Sequence, residues 1–165
     1  MVPYPSMLDV PYELVEHVSW LVYTRRRELR SPWRKLSCFK QALLTLAHLR
    51  KNETFAQVGA GFGVSEATAW RYVDERLEVL AAWAPDLHEA LVGLGEGDFV
   101  IVDGTLIPTD RIQFNRDHAR LRAPGERAFA QLKSWRLLRR ARCSTRRIGT
   151  AVQAIHTLLT CSYSG

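Results

Sequence analysis

The stretch Thr54 to Tyr72, TFAQVGAGFGVSEATAWRY, decides how the rest of the chain is read. Thr54 and Ser65 each stand where a side-chain oxygen can accept an unpaired backbone N–H at a helix start. Phe55, Val58 and Phe62 share one face of a first, short helix. Gly63 follows where the chain must turn, and a residue without Cβ tolerates a positive φ there. Trp70, Val73, Leu77 and Leu80 then recur at three- and four-residue spacing, which predicts a second helix with these residues inward. The small residues Gly59 and Ala60 would let the two helices approach closely. This is the pattern of a helix-turn-helix, a motif whose second helix enters the DNA major groove. Ser65, Thr68, Arg71 and Tyr72 are expected on the exposed face of that helix as groove or phosphate contacts. An ordinary helical hairpin in a core would show the same turn, but it would not require hydrogen-bonding side chains along that face.

The charge balance points the same way. The 165 residues carry a formal net charge of +6, and the isoelectric point near 9.6 favours an acidic partner such as nucleic acid. From Arg111 to Arg147 twelve Lys or Arg face only Asp117 and Glu126, a local +10, so the remaining residues sum to −4. A smaller basic cluster comprises Arg25, Arg26, Arg27, Arg30, Arg34 and Lys35. An apolar fraction of 47% is enough for a packed core and argues against general disorder. The three cysteines, Cys38, Cys143 and Cys161, are far apart and fit neither a zinc spacing nor a disulfide framework. The N-terminus has no basic segment followed by an apolar run, and no stretch reaches membrane-spanning length. A cytoplasmic, nucleoid-associated protein with no membrane partner is expected.

Three regions are expected along the chain. Residues 1–35 form an arm with three prolines and then a helix over Tyr12–Arg30, with Leu14, Val18, Leu21 and Val22 on one side. Residues 36–95 hold the helix-turn-helix. There Leu36–Lys51 predicts an amphipathic support helix, the second helix of the motif runs on to Trp83, and Pro85 ends it. Residues 97–165 open with FVIVDG, whose Phe99–Val102 run is the one clear strand signal, with Thr105–Ile107 as its hairpin partner or a continuation. Helices are expected over Glu126–Arg142 and over Arg146 to about Leu159, the latter with Ile148, Val152, Ile155, Leu158 and Leu159 inward.

Asp103 ends the apolar strand, and an acid in that position can hold a divalent metal through hard oxygen ligands. Glu126 lies among arginines and lysines suited to phosphate. Two carboxylates of this kind are candidates for metal-dependent phosphodiester chemistry. A strand-end Asp that caps a turn, and a Glu paired to neighbouring arginines, explain the same residues with less.

Three blocks together resemble an insertion-sequence transposase of the DDE superfamily. CFKQALLTLAHLRKNETFAQVGAGFGVSEATAWRYVDERLEVLA resembles that family's DNA-binding region, and FVIVDGTLIPTDR its segment with the first catalytic aspartate, here Asp103. HARLRAPGERAFAQLKSWRLLRRARCSTRRIGTAVQAIHTLL resembles the end of its catalytic domain. There Arg122, Glu126 and Lys133 fit the family's spacing, which makes Glu126 the final acid and Arg122 and Lys133 DNA-binding residues. The resemblance implies a mainly α chain: a helix-turn-helix domain followed by a remnant of an α/β RNase H-like domain, one strand or hairpin plus C-terminal helices. It implies Mg2+ or Mn2+ at Asp103 and Glu126, and the element's terminal inverted repeats as DNA partner.

The departures are as informative. Ala119 stands where the family carries a tyrosine. Asp103 and Glu126 are only 23 positions apart, and no second aspartate in an Asp-x-Gly-Tyr context lies between them. An internally deleted transposase, with the join between Thr109 and Arg116, accounts for this. The leading expectation is a transposase-like DNA-binding protein with impaired catalysis. The alternatives are an active metal-dependent transposase or nuclease using an unrecognised third acid, a small DNA-binding regulator that pairs with a full-length transposase or with itself, and a non-functional relic.

Overall fold

The computed structural model describes residues 8–30, 34–84 and 126–162, and every regular element among them is helical. The chain divides into two compact units, Met1–Ala84 with Ser134–Gly165, and Pro85–Lys133. Of the second, residues 126–133 are described, and they are helical. The expected strand at 99–102, its hairpin partner at 105–107 and the boundary near 95–97 lie outside the described residues.

The first unit holds α1 (Tyr12–Glu28), α2 (Cys38–Lys51), α3 (Phe55–Phe62), α4 (Glu66–Ala81), α5 (Arg136–Arg139) and α6 (Thr145–Ser162). α1 buries Leu14, Val15, Val18, Leu21 and Val22, the expected stripe plus one neighbour. Glu13 in its first turn and Arg25–Arg27 in its last complement the helix dipole.

α2 is the centre. Its N-cap is Ser37, whose Oγ accepts from the Lys40 N–H, so the helix starts two residues later than Leu36. Gln41 to Leu49 are buried without a break, because α1, α3, α4 and α5 pack around this helix. Its buried polar groups are all satisfied. Gln41 donates to the Leu36 carbonyl at 2.7 Å, Thr45 to the Gln41 carbonyl at 3.0 Å, and His48 Nδ1 to the Glu53 carbonyl at 2.7 Å. Arg76, fully buried on α4, donates to the Gln41 side-chain oxygen and pairs with Glu75 at 2.8 Å. Glu75 also meets Arg34 at 3.4 Å. A buried cation is tolerated when paired. Here the Arg76 Nε and Nη1 and the Glu75 Oε1 have no hydrogen bond of their own, so the ion pair and the bond to Gln41 carry the charge.

Two expected apolar faces are rotated. On α4 the buried residues are Ala69, Tyr72, Val73, Arg76, Leu77 and Leu80, so Tyr72 is in the core and Trp70, 42% exposed, is outside. At 100° per residue, Trp70 lies just off the stripe that 69, 73, 76 and 80 define. On α6 the buried set is Ala151, Ala154, Ile155, Thr157 and Leu158, while Val152 is at the surface. Leu158 and Ile155 keep their expected places.

The expected helix over Glu126–Arg142 breaks at Trp135, whose backbone is extended (φ −81°, ψ 108°). Trp135 and Leu137 are both buried. Residues two apart on a helix point some 200° apart, so one continuous helix could not bury both against α2. The break lets it happen, and α5 resumes for a single turn.

Candidate nucleic-acid interface

The helix-turn-helix is built from local chemistry. Thr54 Oγ1 accepts from the Gln57 N–H at 3.3 Å, and Gln57 Oε1 accepts from the Thr54 N–H at 2.9 Å. This reciprocal pair satisfies two unpaired donors at the start of α3. Gly63 ends α3 at φ +68°. Around it the Val64 N–H donates to the Gly59 carbonyl at 2.9 Å and the Gly63 N–H to the Ala60 carbonyl at 3.3 Å, which is a Schellman closure. Ser65 then caps α4, with its Oγ accepting from the Thr68 N–H at 3.2 Å.

Gly59 and Ala60 part company. A Cβ on Gly59 would lie 2.9 Å from the Val64 carbonyl oxygen, so the turn closes on that glycine. Ala60 is exposed. Beside it Gln57 and Gly61 are also exposed, leaving the outside of α3 small and uncharged.

The outer face of α4 divides into two halves. Its first turns expose Ser65, Glu66, Ala67, Trp70 and Arg71, with Thr68 half-buried. Ser65 and Thr68 are linked through their hydroxyls at 2.9 Å, and each hydroxyl keeps capacity for one more bond. Farther along, Asp74 is paired with Arg147 and Glu75 with Arg34 and Arg76, while Glu78 is exposed. The cation of this half, Arg76, is buried, so this half offers nothing to phosphate. Only the N-terminal half of α4 is therefore suited to DNA, and that is the half a recognition helix presents to base edges.

α6 braces α4 from the side. The Arg147 guanidinium lies 5.5 Å from the Trp70 ring centroid and 5.6 Å from that of Phe55. It also pairs with Asp74 at 2.9 Å. Thr157 donates to the Leu80 carbonyl at 2.9 Å. Phe55 in turn stacks on His48, with centroids 4.5 Å apart. Burial lowers the His48 pKa from its ordinary value; the bond to Glu53 works against this and Arg147 adds to it.

Residues 34–85 match the family model described as the helix-turn-helix of DDE superfamily endonuclease. No curated protein and no solved structure matches the chain. The matched span takes in the last residues before α2, the whole of α2 to α4 and the turn after α4. That span is what the chain shares with the family's helix-turn-helix.

Of the expected contacts, Ser65, Thr68 and Arg71 lie together on the first turns of α4. Tyr72 faces the core at 3% exposure, since it falls on the buried stripe. Glu126 and Lys133 are exposed on the helical residues 126–133. Asp103 and Arg122 lie outside the described residues, so the expected metal pair is represented by Glu126 alone. Among the described residues no three His, Cys, Asp or Glu side chains converge to hold a metal ion. No helix among them is long and apolar enough to cross a membrane. Sequence reading missed Arg147 as a brace: in sequence it is one arginine in a basic run, and nothing local marks it as the partner of Asp74 and two rings.

Proposed function

We propose that this chain is a transposase-like DNA-binding protein in which α3 and α4 read duplex DNA while strand cutting and joining are impaired. The observation that carries the reading is the α3–α4 unit itself: matched in sequence at residues 34–85, capped at both helix starts, and exposing Ser65, Glu66, Ala67 and Arg71 at the front of the second helix. Arg71 is the cation there, suited to a guanine edge or a phosphate. Glu66 can accept from a cytosine amino group, and the Ala67 methyl can pack on a thymine methyl.

The impaired chemistry follows from the acids. Asp103 and Glu126 would supply two carboxylates to Mg2+ or Mn2+, and the sequence between them offers no second aspartate in the family's context. Phosphoryl transfer depends on placing several charges at once, so an incomplete set leaves binding without turnover. The natural target of such a protein is the terminal inverted repeat of the parent element, where it would compete with, or join, a full-length transposase.

Selection from a random duplex pool at low salt tests the reading. A preferred sequence should emerge, with no nicking in Mg2+ or Mn2+. Arg71→Ala should weaken binding to that sequence by roughly ten- to a hundredfold, the worth of one good base or phosphate contact. Absence of any duplex binding, or an Arg71→Ala variant that binds and discriminates like the parent, would remove α4 as the reading helix. Nicking that disappears in Asp103→Ala would instead establish an active nuclease.

A further inference from the structure

Two contrasting sets of cations stand out in α2 and the C-terminal block. One group is committed to structure. Arg147 is held by Asp74 and two aromatic rings. Arg50 on α2 is held likewise, by Asp9 at 2.8 Å, Ser134 at 2.7 Å and the Trp135 ring. The other group is not committed. Lys51, Arg136, Arg139, Arg140 and Arg142 line one concavity of about 360 Å3 together with Asn52. None of these five pairs with a carboxylate among the described residues.

The concavity is built, not incidental. Asn52 is the left-handed C-cap of α2 (φ 56°), and its side-chain amide donates to the Arg140 carbonyl at 3.2 Å. Trp135 and Leu137, both buried, hold the segment before it. Five like charges are thus kept together by interactions that do not neutralise them. Gathering them has a Coulombic cost that a bound polyanion relieves. The α2 C-terminus adds roughly half a negative charge at most, far short of the five.

We propose that this concavity is a phosphate-binding site that grips the backbone of duplex DNA beside the reading helix. The proposal rests on α3–α4 being the DNA-reading unit. Continuity favours a DNA backbone over a free anion. Asn52 and Arg142 also line the adjoining hollow, which extends to Glu66 at the front of α4 and to Arg147. The site is open, and four of its five cations are exposed, as suits a chain lying across it. The α3–α4 unit would then set sequence choice, and the concavity would supply sequence-independent affinity.

The test is the salt dependence of binding to a labelled duplex of about 30 base pairs, followed by anisotropy over roughly 50–300 mM NaCl. The triple variant Arg139→Gln/Arg140→Gln/Arg142→Gln should have a log–log slope shallower by about 0.9 for each phosphate it no longer neutralises. The triple Arg139→Lys/Arg140→Lys/Arg142→Lys should keep the parent slope, and thermal melts of both report whether the fold is intact. A Gln triple that melts like the parent and keeps its slope overturns the proposal. So does calorimetric binding of inorganic phosphate that the Gln triple abolishes while the DNA slope stays unchanged, which would mark a free-anion site. Tighter binding of a single-stranded RNA of the same length, lost equally in the Gln triple, would also overturn the assignment to duplex DNA. Failure of the α3–α4 reading looks different: the parent would not separate its selected duplex from a scrambled one, whatever the slopes.

Discussion

Residues 54–72 and residues 134–143 both pack against α2, yet they are held there by different means. The first segment closes on itself. Its caps join residues three apart, Thr54 with Gln57 and Ser65 with Thr68, and its turn is closed by Gly59, Gly63 and Val64. The second segment closes on distant chain. Arg50 reaches Ser134 across 84 positions and Asn52 reaches Arg140 across 88. The first carries side chains that can read bases. The second carries a cluster of exposed charge. The proposed duplex-binding surface needs both functions, and it would draw them from one locally encoded unit and one that the tertiary structure must assemble.

The largest expected effect comes from cutting the second segment loose. Trp135 is its anchor: it is 4% exposed, lies under Arg50 with 5.4 Å between guanidinium and ring centroid, and its indole N–H finds no partner among the described residues. Trp135→Ala should cost about 3–5 kcal/mol in urea denaturation, through the forfeited transfer energy and an unfilled cavity. Trp135→Phe removes the unpaired donor and leaves a smaller cavity, and should cost less than Trp135→Ala. Where Trp135→Ala still folds, its duplex binding should show the shallower salt slope of the triple glutamine variant while sequence preference survives. Loss of preference with the slope intact would reverse the roles given to the two segments.

A smaller effect tests the first segment, where two glycines serve for different reasons. Gly59→Ala would place a methyl 2.9 Å from the Val64 carbonyl oxygen, against backbone that cannot swing aside. A cost of roughly 1–3 kcal/mol follows, in the range of overpacking. Gly63→Ala meets open space and is penalised only by its φ of +68°, worth about 1 kcal/mol. Equal losses, or the reverse order, would mean that the turn is not closed as described. Gly59→Ala should also weaken DNA binding more than Gly63→Ala, because it displaces Ser65 and Glu66 at the front of α4.

This division explains what could be read in advance. Thr54, Gly63 and Ser65 announce themselves because capping and turn chemistry act within three residues. The stripes of α1 and the inward Val73, Leu77 and Leu80 of α4 follow from periodicity. Trp70 and Tyr72 exchange places between surface and core because periodicity fixes a helical face only to within a residue, and a tryptophan counts as apolar until a partner such as Arg147 is seen beside it. The helix expected through Trp135 breaks because two residues two positions apart both bury, which depends on α2 and has no local signal. The basic character of the C-terminal block is plain from composition. Which arginines are neutralised and which converge could come only from the packing of α2, α5 and α6. The second unit, where Asp103 belongs, stays a matter of sequence.

The smallest effect concerns the junction between the two segments. His48 sits near the end of α2, with Asn52 and the second segment on one side and Phe55 of the first on the other. Its Nδ1 faces a carbonyl, which only accepts, so Nδ1 carries the proton of a neutral ring. Burial disfavours the imidazolium, the bond to Glu53 favours it, and the Arg147 cation disfavours it; the pKa is lowered on balance. Below the ordinary value near 6.5 the unfolded chain therefore binds more protons than the folded one, so stability must fall as pH falls. The contribution is whole above that value and drains away as pH drops below it toward the lowered folded value. Melts at about pH 7.5 and 5 should show the parent losing more stability on acidification than His48→Gln, whose own melting temperature should be lower at neutral pH but flatter with pH. An unchanged pH slope in His48→Gln would mean that carboxylates elsewhere govern the acid limb and that the junction is indifferent to the charge on this ring. A slope that flattens would make protonation of one buried imidazole the event that loosens the reading unit and the charged concavity together.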